Sequence, residues 1–149
     1  MNKIIGLGLL LASLSITACQ STTAANVDTT STAELRNTLW KLTALNGVAI
    51  KSAADQRIAS LTLTADASQA SIVTACNRGS AAYKIDGKAI KFDVAMSTKM
   101  MCQPEPMKQE AAFFKVIREA ARYEIKGETL DLYSADNQLL ASFQSEYLK

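Results

Sequence analysis

The chain has 149 residues, with 16 basic and 14 acidic side chains, no histidine and a formal charge of +2. That is the length of one domain. A balance this even speaks against a nucleic-acid surface or a polybasic membrane patch. The missing imidazole excludes histidine triads, histidine metal sites and imidazole proton shuttles.

The N-terminus reads as a targeting segment. Met1-Asn2-Lys3 is basic, and Ile4 to Leu14 is an apolar run too short for a permanent transmembrane helix. Small residues Thr17 and Ala18 then precede Cys19. This order resembles a bacterial lipobox, in which the cysteine sulfur receives diacylglycerol and cleavage leaves that cysteine first. Residues 1–18 are therefore read as a lipoprotein signal peptide and Cys19 as the lipidated residue. The other reading is an ordinary signal peptide cut after Ala18. Two or three acyl chains hold a protein firmly where one does not. Gln20, rather than Asp, follows the cysteine. By resemblance to envelope sorting signals, that favours the outer membrane, with the protein facing the periplasm. Loss of residues 1–18 removes Lys3 and no acid, leaving 15 basic and 14 acidic residues, a net +1.

From Gln20 to about Ala33 the chain is small and polar, too poor in apolar surface to order itself. Residues 19–36 are read as the lipidated cysteine and a flexible tether, its fourteen central residues spanning roughly 20 Å root-mean-square. Residues 37–149 form the expected domain. Leu39 to Leu45 is its first strand, with Trp40 as a core anchor and Asn46-Gly47 as a turn. Residues 51–57 read as a loop. Ser60 to Thr64 alternates as a half-buried strand, Ala65 to Ser68 turns, and Ala70 to Ala75 is a further strand. Asn77-Arg78-Gly79 reads as a tight connection. Tyr83-Lys84-Ile85 and Ile90-Lys91-Phe92 flank a hairpin turn placed at Asp86-Gly87. Tyr83, Ile85, Ile90 and Phe92 share one face, Lys84 and Lys91 the other.

A helix starts around Pro104-Glu105-Pro106, where a first-turn proline is tolerated and Glu105 suits the helix dipole. Its body runs from Met107 to about Arg122. Met107, Ala111, Phe114, Ile117 and Ala121 make the expected apolar stripe, widened by Phe113 and Ala120. Core packing is the preferred role for that stripe, ahead of lying on a membrane or partner. Three strands follow: 123–126, 129–133 and 138–143. The fold class is α+β, mostly β. It is a small antiparallel barrel of about eight strands, with one helix inserted before the last three.

Cys76 and Cys102 remain as a pair. In an oxidising compartment they read as a disulfide, worth on the order of 3 kcal/mol in the chain-entropy model. Two buried free thiols are the alternative. A nucleophilic Cys76 lacks a histidine base. The spacing supports no metal site, and no phosphate loop or paired acid motif is present. No enzymatic activity, cofactor or metal is expected.

Together these residues resemble the META domain, or HslJ-like, family: Trp40-Lys41-Leu42, then Cys76-Asn77-Arg78 with Tyr83, then Thr98, Met100 and Cys102. Met107 and Glu110 in the helix and the Leu130-Asp131-Leu132 strand complete the pattern. Ala75 and Ala81 stand where the family commonly has glycine. The resemblance implies a lipocalin-like or cracked barrel and a role in heat shock or antibiotic (novobiocin-type) tolerance. It implies no catalytic residues. Glu110 is read as serving the helix N-terminus or a nearby amide. The expected protein is a monomeric, non-enzymatic outer-membrane lipoprotein that binds an envelope protein and no nucleic acid. The alternatives are a carrier of a small apolar ligand or acyl chain in the barrel lumen, and a pilot-like chaperone of a secretion channel. Lipidation is testable: labelled palmitate enters the wild-type protein and is absent from Cys19→Ala, and persistent labelling of that variant refutes the anchor.

Overall fold

The computed structural model describes residues 32–50, 57–93 and 96–146. Cys19, residues 1–18 expected as a signal peptide, and most of the 51–57 loop lie outside the described residues. Eight strands close into an antiparallel barrel. In chain order they are β1 (Leu39–Leu45), β3 (Ser60–Thr64), β4 (Gln69–Val73), β5 (Arg78–Asp86), β6 (Ala89–Phe92), β8 (Arg122–Lys126), β9 (Thr129–Tyr133) and β10 (Leu139–Glu146). Each pairs with the next, and β10 returns to β1. The two-residue strands β2 (Val48–Ala49) and β7 (Met96–Ser97) add to β1 and β5 from outside the ring. The helix α1 (Pro104–Glu119) is inserted between β6 and β8. Five barrel strands thus precede the helix and three follow it.

Alternation builds the core. Leu61 and Leu63 of β3, Ile72 of β4, and Leu130 and Leu132 of β9 point inward and are fully buried. Trp40 is fully buried too, and its indole N–H donates to the Leu35 carbonyl at 2.9 Å. Phe113 from the helix meets Phe143 from β10 with ring centroids 5.8 Å apart. An eight-stranded barrel has room inside for side chains or one small ligand. Here the buried side chains of the strands and of the helix point into that space.

Several boundaries differ from expectation, each for a local reason. The domain begins before residue 37. Ala33 is buried and its N–H donates to the Gly127 carbonyl at 2.8 Å, while Arg36 bridges to Leu63. The end of the expected tether is therefore part of the barrel wall. Strand β4 stops at Val73 because Thr74 turns to serve a polar cluster. Gly79 belongs to β5, not to a connection. The hairpin turn sits on Gly87-Lys88, one residue later than expected, because Asp86 pairs with Ala89. Gly87 alone in that turn takes the positive φ, at 55°.

The helix ends three residues early. Ala120 adopts extended dihedrals while its N–H still caps the Val116 carbonyl. Arg122 is a strand residue whose guanidinium lies 4.0 Å from the Tyr133 ring centroid. The buried face is also rotated from the expected stripe. Phe113, Phe114, Val116, Ile117 and Ala120 are buried, whereas Met107 and Ala111 are exposed. The buried positions fall in the second half of the helix, where Phe113 packs on Phe143, while Met107 and Ala111 in the first half stay exposed.

One glycine sets how closely the helix approaches the sheet. A Cβ built on Gly79 would lie 2.7 Å from the Met96 carbonyl oxygen and 2.8 Å from the Phe114 ring. Overpacking of that kind costs about 1–3 kcal/mol. Gly79→Ala is therefore expected to lower unfolding stability by about 2 kcal/mol in a urea titration; an unchanged midpoint would refute the close approach.

Candidate functional site

Part of the family pattern, Cys76, Thr98, Met100, Cys102 and Glu110, meets around the Asn77 side chain. Asn77 follows Cys76 in the β4–β5 connection and is 3% exposed. Its amide nitrogen donates to Glu110 Oε1 at 2.9 Å and to the Met100 carbonyl at 3.3 Å. Its Oδ1 accepts from the Thr98 hydroxyl and from the Met100 N–H, both at 2.8 Å. Both donors and both acceptor positions of the amide are thereby used. Buried amides require this, since each unmatched group costs about 1–3 kcal/mol.

Glu110 reaches in from the second turn of α1. Its Oε2 accepts from the Asn77 backbone N–H at 3.0 Å and from the Thr74 hydroxyl at 2.6 Å. The Thr74 oxygen in turn accepts from the N–H groups of Cys76 at 3.2 Å and Asn77 at 2.7 Å. Thr74 thus folds the chain over its own oxygen, a local turn that short hydroxyl side chains favour. Glu110 serves backbone and side-chain donors of this connection. It does not cap its own helix.

The disulfide finishes the assembly. Cys76 and Cys102 are bonded, with Cα atoms 6.0 Å apart and a sequence separation of 26. The bond ties the β4–β5 connection to the segment entering α1. Residues 96–103 are held at three points: β7 on β5, Met100 on Asn77, and Cys102 on Cys76. On the solvent side of the first helical turn, Glu105 and Lys108 pair at 2.7 Å. The hydrogen bond to Glu105 holds the Lys108 ammonium above its ordinary value.

The other motif residues lie elsewhere. Trp40 is in the barrel core. Tyr83 is buried, donates its hydroxyl proton to the Thr64 carbonyl at 2.7 Å and accepts from Arg36 Nε at 3.1 Å. The Arg78 side chain is exposed, although its backbone N–H donates to Thr98 Oγ1 at 3.2 Å. Met107 is 41% exposed at the start of α1. Thr74 is the member that sequence reading did not single out. Its signal was a hydroxyl residue three before an asparagine, which is too common to stand out.

On the outside this assembly leaves three methionines exposed, beside Ser97, Thr98 and Lys99. Met96 is 73% exposed, Met100 58% and Met101 93%. They sit on the segment that the Asn77 amide and the disulfide hold, and Met107 follows on the helix. Among the described residues no group of three His, Cys, Asp or Glu side chains is placed to hold a metal ion. No described helix is long and apolar enough to cross a membrane.

A closed eight-stranded barrel, a helix across one end and a disulfide beside a saturated amide define a small stapled-barrel domain. The chain belongs to the META domain family, whose model matches residues 33–147. No curated protein matches it. Two solved structures are similar in fold. One, an NMR structure of a protein from Burkholderia xenovorans, has a TM-score of 0.65 at 20% identity, over 93% of this chain and 100% of that one. The other is also an NMR structure, with a TM-score of 0.58 at 22% identity, over 74% of this chain and 91% of that one.

The geometry makes Asn77 a costly position to change, since its side chain makes four hydrogen bonds while 3% exposed. Asn77→Ala is expected to lose about 3 kcal/mol or more, because Glu110, Thr98 and the Met100 backbone lose partners together. Asn77→Asp is expected to lose at least as much near pH 7, where the new carboxylate faces Glu110, and to recover part of it on acidification as the two share a proton. Arg78→Ala, at an exposed side chain, should stay within about 0.5 kcal/mol of wild type. Chemical denaturation at two pH values checks all three; equal stability of the alanine variants would refute the role of the Asn77 amide.

Proposed function

We propose that this META-domain protein is a non-enzymatic, outer-membrane lipoprotein facing the periplasm, acting in envelope stress or novobiocin-type antibiotic tolerance by binding another envelope protein. The observation that carries the reading is the methionine surface at residues 96–107. Exposed apolar groups that lie together mark interaction sites. Methionine is suited to such a site because its unbranched, polarisable side chain adapts to a partner's shape.

The backbone beneath this surface is fixed by the disulfide and by the Asn77 amide, so the methionines are presented on a rigid base. Pre-organisation of that kind lowers the ordering cost of association. The polar cluster beneath has its hydrogen-bonding capacity spent internally, which supports a binding role over a chemical one. A tether ending in lipidated Cys19 would keep this surface near the membrane while leaving it free to meet a partner. The lipobox-like order of residues supports that anchor, and Gln20 supports the outer membrane.

The test is genetic, with a structural control. A strain lacking the protein is expected to tolerate less novobiocin, and the wild-type chain should restore tolerance. The Met96→Ser/Met100→Ser/Met101→Ser variant should fold with an unchanged melting temperature, its substitutions being on exposed side chains, yet fail to restore tolerance. Unchanged sensitivity of the deletion strain, or full restoration by the triple variant, refutes the reading.

A further inference from the structure

The domain keeps methionine out of its core. The sequence has five, and Met1 lies outside the described residues. The other four, Met96, Met100, Met101 and Met107, are all exposed, and none belongs to the buried cluster. That placement is unusual, because methionine ordinarily serves as adaptable filler between core side chains. Here all four thioethers stand in solvent within residues 96–107.

The backbones at two of these positions carry structure, whereas the side chains do not. Met96 pairs with Ser80 through the β7–β5 ladder. The N–H and carbonyl of Met100 are both bonded to the Asn77 amide. An oxygen atom added to any of the four sulfurs therefore displaces no core contact. Thiols, which oxidise more readily, do not compete in the domain, since Cys76 and Cys102 are already joined. The indole of Trp40 is fully buried.

We propose that Met96, Met100, Met101 and Met107 form a reversible oxidation site, which a peroxide switches from an apolar to a polar surface without cost to the fold. The sulfur lone pair attacks one peroxide oxygen. The O–O bond breaks, the S–O bond forms, and hydrogen peroxide leaves as water. Sulfur gives up two electrons and the peroxide takes them. A methionine sulfoxide reductase reverses the step with a dithiol, which becomes a disulfide as the sulfoxide oxygen leaves as water. The sulfoxide is a strong hydrogen-bond acceptor. A partner closing over it would bury that acceptor unpaired, so oxidation opposes docking. This consequence rests on the partner-binding reading of the same surface, whereas the modification itself does not.

The test is to treat the purified full chain with hydrogen peroxide and follow it by peptide mass mapping. Sulfoxide is expected at all four positions. Met101, 93% exposed, should react first and at about the rate of free methionine, and Met107, 41% exposed, last. The melting temperature should not change. Retention on a phenyl column should fall, and reductases of both sulfoxide epimers, supplied with dithiol, should restore retention and mass. Met96→Leu/Met100→Leu/Met101→Leu/Met107→Leu stays apolar and has no sulfur to oxidise at these positions, so peroxide should leave its retention unchanged. A melting temperature that falls with oxidation, Met101 left intact while free methionine is consumed, or sulfoxides that resist the reductases overturns the proposal. So does unchanged retention of the oxidised wild type, or an equal loss in the leucine variant. No arm uses a partner, so failure of the partner-binding reading in the genetic test is distinguished from failure here.

Discussion

The structure depends on one primary amide being fully satisfied away from water. Asn77 cannot be buried at 3% exposure unless four partners arrive in the right places. Those partners come from β7's continuation, from the backbone of Met100 and from a helix more than thirty positions along. Three of the four bonds come from residues 98–100 and the fourth from the helix, so satisfying the amide fixes both against the β4–β5 connection. The disulfide then holds the same two segments covalently. The covalent bond restricts the unfolded chain, while the amide selects one native arrangement among those the bond permits.

The helix acts as a plug whose depth is set by contacts at both ends. At its start, Glu110 reaches the Asn77 connection. In its middle, Phe114 lies against Gly79, where any larger residue would push it away. Phe113, Val116 and Ile117 close the barrel interior. Towards its end the helix stops at Glu119 so that Arg122 can enter the sheet. The price of that entry is a seam, since β6 and β8 meet at one register pair.

This division of labour leaves the interior chemically quiet and puts the uncommon features on the surface. The core is packed with aliphatic and aromatic side chains, and the buried polar cluster has its hydrogen-bonding capacity spent on itself. At one end of α1 an apolar methionine segment is held rigidly in solvent. At the other, Lys84, Lys91 and Arg118 border a groove between the hairpin and the helix end. Both features arise from the way the helix is joined to the barrel, one at its entry and one at its exit.

Much of this was legible along the chain. Alternation at Leu61 and Leu63, at Tyr83 to Phe92 and at Leu130 and Leu132 marks strands, because a half-buried strand must alternate whatever its neighbours are. The cysteine pair, the helix start at Pro104 and the family pattern are likewise local or compositional signals. What the sequence could not decide was anything that depends on a partner distant in the chain. Asn77 and Glu110 are ordinary polar residues until folding brings them to 2.9 Å. Gly79 reads as a turn residue until Phe114 lies over it, and Ala111 reads as core until folding leaves it exposed. Local order follows from the stiffness of each segment, whereas hydrogen-bond partners, close approaches and grooves arise only where segments converge.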